Sequence, residues 1–345
     1  MTSSDFVSHR KSLKHRYLKR GIFSIVLIVV LYSILWYFLA AKVEEKVSGQ
    51  LASYNENGFV AICENMHKTG YPLRIGVSCD TVNLQQLVKG FAFSGGKIIT
   101  GAPVYAPRWL ELSLNSPISL EFPGLVPLSA KWSDMKIETD MSHHIPDAVS
   151  LRTDDIEIGT RTDADQLQDR TTGKFLRFDA HGLNSNLDAR LTFVDLQLPL
   201  TVPHENTTVP EMSGDIQWTL DEASSLFTSD ENHDIPIERL RGHKGFLKSS
   251  TVRFATGGAL TVSGPFSFNE EGYLNAKFDI AISDQNKLMQ TARSTFPSQF
   301  DNLKTIFFAL SAMPKNDKGD PVLQLSVKNG EVRLAFFKIG HIDPI

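Results

Sequence analysis

One stretch of the sequence limits the possible folds more than any other. The segment GIFSIVLIVVLYSILWYFLAA, residues 21–41, carries no charged side chain. At a rise of about 1.5 Å per residue, a helix of this length spans roughly 30 Å, the thickness of the hydrocarbon core of a bilayer. The segment has no polar face, so the sequence predicts a transmembrane helix, with a buried core helix as the alternative.

The charges before this segment predict its orientation. Six Lys and Arg residues lie within residues 1–20, against one acidic residue, Asp5. Basic flanks stay on the cytoplasmic side of a membrane. We therefore expect a single-pass protein of the bacterial inner membrane, with a cytoplasmic basic tail (1–20), a transmembrane helix (21–41) and a periplasmic β-rich domain (42–345). A cleaved signal peptide is the alternative, but its apolar region would be only about 7–15 residues long.

The chain contains two cysteines, Cys63 and Cys79, which would then lie in an oxidising compartment. The interpretation we favour there is a disulfide, which would close a loop of about 16 residues. Free thiols and a metal site are the alternatives; a zinc site would need two further ligands, and only His67 lies between the cysteines. Because apolar residues in 42–66 continue at helical spacing, we expect the bond to join the end of a helix to the first strand.

Most of the remaining chain has the pattern of a β protein. From Ile98 onward, apolar and polar residues alternate in short runs, which is typical of antiparallel strands with one apolar and one wet face. Asn329-Gly330 is a strong hairpin signal. A helical interval at 285–312, divided at Pro297, is expected to pack on the sheet. The predicted fold class is mainly β with some α: the N-terminal helix, then an elongated, curved, mostly antiparallel sheet.

The motifs of common enzyme classes are absent from the sequence. It has no Gly-x-Ser-x-Gly, no Walker lysine loop, no Gly-x-Gly-x-x-Gly after a strand and no His-Glu-x-x-His. His143 and His144, near Asp147, are the one local cluster that suggests a metal, but adjacent residues on a strand point to opposite faces. We expect no enzymatic activity, no metal and no cofactor. The acidic balance beyond residue 41 also argues against a nucleic-acid partner, because phosphate contacts need clustered Lys and Arg.

Several motifs resemble those of a known family. Gly70-Tyr71-Pro72-Leu73-Arg74 lies between the two cysteines, and GAPVYAPRWLELSLNSPISLEFPG follows at 101–124. Together with Arg239-Leu240-Arg241-Gly242 and the strand at 258–266, these resemble the alphaproteobacterial family named domain of unknown function 2125. The resemblance implies an inner-membrane protein with a periplasmic body, and brings no known activity. More remotely, the strands of 258–284 resemble those of AsmA-like envelope proteins, whose curved β-groove is associated with lipid transport.

The function we expect is non-catalytic work in the cell envelope. The chain has 22 Phe residues, and aromatic side chains can line an apolar ligand channel. The specific hypothesis is a groove in the β domain that binds or shields phospholipid or glycolipid. The alternative is a structural or assembly factor with a closed β core and no lipid, which binds another envelope protein. The residues proposed to line the groove are Leu112, Leu114, Leu120, Phe122, Trp218, Phe266, Phe268, Phe278 and Ile280.

Overall fold

The structure, a computed structural model, describes most of the chain. The described residues are 5–56, 59–86, 90–123, 126–141, 146–161, 167–183, 185–199, 207–226, 238–310, 312–334 and 337–345.

One long helix, α1 (Asp5–Glu56), begins the described chain. Its part from Lys19 to Asn55 is long and apolar enough to cross a membrane, and it is the one such helix among the described residues. Most large apolar side chains between Ile22 and Leu39 are exposed. A core helix of a soluble protein would bury them, so this exposure fits a helix that lipid surrounds.

The helix ends at Glu56, shortly after Tyr54, the last of the apolar residues at helical spacing. The Asn55 side chain accepts a hydrogen bond from the Ala61 backbone N–H at 2.5 Å and donates to the Ala61 carbonyl oxygen at 3.3 Å. These bonds fix the start of the first strand directly beside the last helical turn. The helical run within 42–66 therefore ends at Glu56, and Cys63 lies on a strand rather than at the end of a helix.

Twenty antiparallel strands follow α1. In chain order they are β1 (Phe59–Glu64), β2 (His67–Thr69), β3 (Arg74–Cys79), β4 (Thr81–Gln86), β5 (Phe91–Gly95), β6 (Ile98–Pro103), β7 (Trp109–Leu114), β8 (Ile118–Glu121), β9 (Leu128–Lys131), β10 (Asp134–Asp140), β11 (Ala148–Arg161), β12 (Leu167–His181), β13 (Leu187–Leu196), β14 (Met212–Leu220), β15 (Lys244–Phe254), β16 (Ala259–Phe268), β17 (Leu274–Ser283), β18 (Val322–Lys328), β19 (Glu331–Leu334) and β20 (Phe337–His341).

The first ten strands are the halves of five long strands that bend in the middle. The halves β1, β4, β5, β8 and β9 pair in that order, and so do β2, β3, β6, β7 and β10. Both sets end on β11, which pairs with β10 before Asp155 and with β9 after it. From β11 to β20, each strand pairs with the next. The sheet is thus one meander in chain order, bent along a line through Asp155.

The disulfide lies on this bend. Cys63 in β1 and Cys79 at the end of β3 are 5.4 Å apart between Cα atoms and are bonded to each other. Next to them, the Asp80 N–H donates to the Glu64 carbonyl oxygen at 2.9 Å. Because the helix ends before Cys63, the bond joins two strands rather than a helix end and a strand, which corrects the role expected from the sequence.

Two short helices cover one end of the apolar side of the sheet. They are α2 (Gln285–Thr295) and α3 (Phe300–Leu310), and they lie between β17 and β18 with Pro297 at their junction. Leu288 and Leu310 form a buried cluster with two sheet residues, Ile282 and Leu323. The predicted fold class is confirmed: an N-terminal apolar helix, a large antiparallel sheet and a packed helical pair.

Removal of the disulfide should destabilise the bend. In the double variant Cys63→Ser, Cys79→Ser, we expect a free energy of unfolding lower by about 3 kcal/mol, because a loop of about 16 residues regains freedom in the unfolded chain. Urea unfolding of the full chain in detergent, followed by Trp fluorescence, measures the difference. Reductant should lower the midpoint of the native protein and leave that of the double variant unchanged; equal midpoints in all samples would contradict the prediction.

Candidate functional site

The strongest candidate site is the apolar face of the sheet. Residues that pair directly across antiparallel strands point to the same side. One row of such residues crosses six strands from β14 to β7: Ile216, Leu191, Phe178, Leu151, Ile137 and Leu112. A second row crosses seven strands from β13 to β19: Leu187, Leu220, Gly245, Phe266, Ala276, Val327 and Val332. The apolar face is therefore continuous between the two halves of the sheet.

The residues expected to line a groove are spread along this sheet. Their positions are Leu112 and Leu114 in β7, Leu120 in β8, Phe122 just after it, Trp218 in β14, Phe266 and Phe268 in β16, and Phe278 and Ile280 in β17. The Trp218 ring lies 6.1 Å from that of Phe178, between ring centroids. Phe122 stands apart from the two rows, with its ring 5.3 Å from that of Phe91. Ile280 packs against the cluster beneath α2 and α3.

The exposure of these nine side chains is intermediate. Eight are half-buried, and Phe122 is 40% exposed, so none reaches the burial of a closed core. By contrast, Ile282 and Leu323, which α2 and α3 cover, are 5% and 9% exposed. The helical pair therefore closes one end of the face. Elsewhere the face has further buried positions, such as Leu220 and Val327, while these nine side chains keep part of their surface accessible.

Sequence reasoning missed part of this face. Ile137 and Leu151 connect the β7 residues to Phe178 and Leu191, yet neither was expected to line a groove. Alternation in 134–140, where Met135 and Ile137 share one side, was the available signal. It did not show which strands β10 would lie between, because register depends on distant segments.

Comparison with known families now identifies the chain's relatives. The family described as uncharacterized protein conserved in bacteria (DUF2125) matches residues 36–343. The chain belongs to this family. The match begins inside α1, where Trp36 contacts the first hairpin, and extends through β20. No curated protein and no solved structure matches the chain. The family that the sequence motifs resemble is therefore confirmed.

The opposite face of this DUF2125 sheet is polar and carries ion pairs. Arg177 bonds Asp179 at 2.7 Å and Arg190 bonds Asp215 at 2.6 Å. A cavity of about 890 Å³ lies on this side, where β14–β19 present four cations and two acids: Lys244, Lys277, Lys328, Arg333, Asp221 and Glu331. Its lining is mixed, because apolar residues, among them Phe246 and Phe266, border it together with these charged groups.

Three carboxyl groups on the polar face have lowered pKa values. Partial burial alone would raise the pKa of Asp179 and of Asp215, but hydrogen bonds from Arg177 and Ser150, and from Arg190, Gln217 and Thr192, outweigh it. Hydrogen bonds from Lys338 and Arg333 lower the pKa of the exposed Glu331 to about 2. All three groups therefore stay ionised near neutral pH and serve as partners in ion pairs.

Metal ligands do not converge in the described part of the chain. No group of three His, Cys, Asp or Glu side chains could hold an ion there. His143 and His144, the pair that the sequence singled out, lie outside the described residues.

The ion pairs predict a loss of stability in acid. A carboxyl group with a lower pKa when folded than when unfolded adds stability above its ordinary pKa, and this contribution disappears as the pH falls through the folded value. We expect the urea concentration at half-unfolding to decrease once the pH is below about 4, where free carboxyl groups protonate. In Asp215→Asn this decrease should be less steep. Urea titrations between pH 3 and 6 would measure this. The exposed Asp279→Asn serves as the matched control, and slopes identical to that of the native protein in both variants would refute the assignment.

Proposed function

We propose that this protein is a non-catalytic component of the bacterial cell envelope, and that its apolar face binds or shields lipid. In this proposal residues 1–20 are cytoplasmic, residues 21–41 cross the inner membrane, and residues 42–345 form the periplasmic domain. The ligand class is phospholipid or glycolipid, because both present acyl chains to an apolar surface.

The observation that carries this proposal is the incomplete burial of the apolar face. Large contiguous apolar patches are rare on soluble monomers and mark sites that bind another molecule. The row from Ile216 to Leu112 has five intervals between strands, so it is roughly 24 Å long at about 4.8 Å per strand. This exceeds the depth of one bilayer leaflet, about 15 Å of hydrocarbon. The full length of an acyl chain could therefore lie along the row.

Retention of α1 is supported by its contacts with the sheet. The Trp36 indole donates to the Arg74 carbonyl oxygen at 2.7 Å, and its ring meets that of Tyr71 edge to face at 5.3 Å. Cleavage after residue 41 would remove these partners and leave the first hairpin without its support. A signal peptide, which is discarded, has no reason to pack against the mature domain in this way.

The resemblance of residues 258–284 to AsmA-like envelope proteins supports the proposal by analogy. Those proteins are anchored by one N-terminal helix and carry a curved β-groove, and this chain has an N-terminal apolar helix followed by a bent antiparallel sheet. A shared architecture does not fix a function, so the proposal rests on the partly exposed apolar face. The resemblance to the DUF2125 family implies an alphaproteobacterial source.

Photo-crosslinking in intact cells would test the proposal directly. A photoreactive phenylalanine analogue at position 278 points to the apolar face, and the same probe at the adjacent position 277 points to the polar face. We expect position 278 to form lipid adducts, detected by mass spectrometry, and position 277 to form none. Crosslinks at 278 to a protein, or equal lipid labelling at both positions, would instead support the assembly-factor alternative or nonspecific contact.

Substitutions on the same strand separate binding from folding. Phe278→Asp should reduce co-purifying lipid several-fold while the protein stays folded, because the half-buried position leaves the carboxylate in contact with water. Ile282→Asp should unfold the β17 region, because a buried unpaired charge costs several kcal/mol. Lys277→Asp, at an exposed site on the polar face, is the control for introducing a carboxylate on this strand. If Phe278→Asp also unfolds the protein, the apolar face is a closed core.

A further inference from the structure

The hairpin formed by β2 and β3 runs along α1 toward the middle of its apolar segment. Contacts between helix and hairpin follow one another in strict order. Reading down the helix, the contacts join Asn55 to Ala61, Ser48 to Met66, Glu44 to Lys68, and Ser33 to Tyr71. Each step toward the N-terminus of α1 is a step toward the turn of the hairpin. The turn, residues 70–73, therefore lies beside Ser33 and not beside the charged part of the helix.

Chain lengths give the same result independently. Strands β1 and β2 lie within residues 59–69, and these eleven residues, with the bend between the two strands, span at most roughly 36 Å at about 3.3 Å each. The helix from Glu56 back to Tyr32 rises by the same distance, at about 1.5 Å per residue. Tyr32 lies nine positions before Ala41, so it stands about 13 Å inside the uncharged segment. When 21–41 cross the bilayer, the turn lies within the leaflet nearer the β domain.

The turn is constructed for surroundings without water. Four of the five carbonyl groups from Gly70 to Arg74 accept hydrogen bonds that the structure shows. The Gly70 oxygen accepts from the Arg74 N–H at 2.8 Å, the Pro72 oxygen from the Tyr32 hydroxyl, the Leu73 oxygen from the Val104 N–H at 3.0 Å, and the Arg74 oxygen from Trp36 at 2.7 Å. In hydrocarbon, every backbone polar group must be satisfied by the protein itself. Three of these four donors belong to α1 or to the neighbouring hairpin. The carbonyl groups of the turn are therefore satisfied mostly by contacts outside the turn itself.

Two side chains of the turn expose apolar surface, and one of them, Tyr71, also packs its ring against Trp36. Leu73 is 63% exposed and Tyr71 is 52% exposed. The next turn along the sheet, between β6 and β7, continues the pattern with Tyr105 at 81% and Trp109 at 46%. Tyr and Trp are the residues enriched where proteins meet the interface of a bilayer.

Charges near the two turns fit the same surroundings. Arg74 is paired with the Glu111 carboxylate, so its charge is compensated within the protein. Arg108, in the second turn, is exposed and lies beside Trp109. A long Arg side chain can reach toward lipid headgroups while its stem stays in the apolar layer.

We propose that these two turns, Gly70–Arg74 and Val104–Trp109, form a wedge that inserts into the leaflet nearer the β domain. The occupant of this surface is the bilayer that α1 crosses, not a separate protein. The wedge holds the adjacent end of the sheet in lipid, so the apolar face meets the bilayer without an aqueous gap. The inference requires α1 to cross the membrane; it does not require lipid to occupy the apolar face.

Depth-dependent fluorescence quenching would test the wedge. The full chain, with its disulfide intact, would carry one added cysteine labelled with an environment-sensitive dye at Leu73→Cys or Tyr105→Cys. The protein would be reconstituted in phosphatidylcholine and phosphatidylglycerol vesicles containing a lipid with a nitroxide on its acyl chain. We expect both labels to lose at least about half of their emission to the nitroxide lipid, as buried interfacial groups should, and to resist aqueous iodide.

Val126→Cys provides the matched control. Val126 is 60% exposed, similar to Leu73, but it lies in the turn between β8 and β9 at the opposite end of the strands. Its label should be quenched by iodide and not by the nitroxide lipid. Tyr105 is the most exposed of the labelled positions, so its replacement leaves packing intact and gives a reading even if Leu73→Cys perturbs the turn.

Two results would overturn the proposal. Iodide quenching at positions 73 and 105 equal to that at 126 would place the turns in water. Protection from both quenchers would mean that protein, such as a second copy of this chain, covers them. Neither result depends on crosslinking at position 278, so the wedge and the lipid-binding function can fail separately.

Discussion

The hydrogen bond from Trp36 to the Arg74 carbonyl oxygen fixes the position of the sheet relative to α1. Within the apolar segment, Trp36 and Ala40 are 8% and 0% exposed, whereas their neighbours are largely bare. This narrow buried stripe fixes the first hairpin against the helix. Because the strands pair in chain order, the position and tilt of each later strand depend on those of this hairpin. A sheet of this size thus depends on one helix face for its placement relative to α1.

The bend and the helical pair divide the apolar side of the sheet into parts with different burial. Along the bend, Trp132 and Ile156 are at most 9% exposed, and the Trp132 indole donates to the Leu114 carbonyl oxygen. Under α2 and α3, Ile282 is buried as well. Between them, Ala180 and Ala189 are also buried, while Phe178 and Trp218, which pack against them, are half-buried. The apolar side of the sheet thus combines a folded core with large apolar side chains that are only partly covered.

Local patterns were sufficient for much of the fold. The uncharged length of 21–41, the alternation in 258–284, the turn at Asn329-Gly330 and the break at Pro297 each act over a few residues, and the structure agrees with them. The end of α1, and with it the strand that carries Cys63, could not be read in the same way. The Asn55 side chain stops the helix by bonding to Ala61, a contact that periodicity does not encode. Likewise, the rows through Ile137 and Leu151 depend on register between strands, and the depth of the β2–β3 turn depends on packing against α1.

The order of strand pairing has a consequence for how the chain folds. Nearly every strand joins the sheet beside the strand that precedes it along the meander. Most steps of folding therefore close short loops and cost little conformational entropy. A chain that emerges N-terminus first can add each strand to an edge that already exists. Growth would start at the anchored hairpin and proceed outward, and the newest strand would always be the exposed one. The main long-range step is the packing of α2 and α3, which lie between β17 and β18. It brings Thr295 into a hydrogen bond with Thr207, far earlier in the chain.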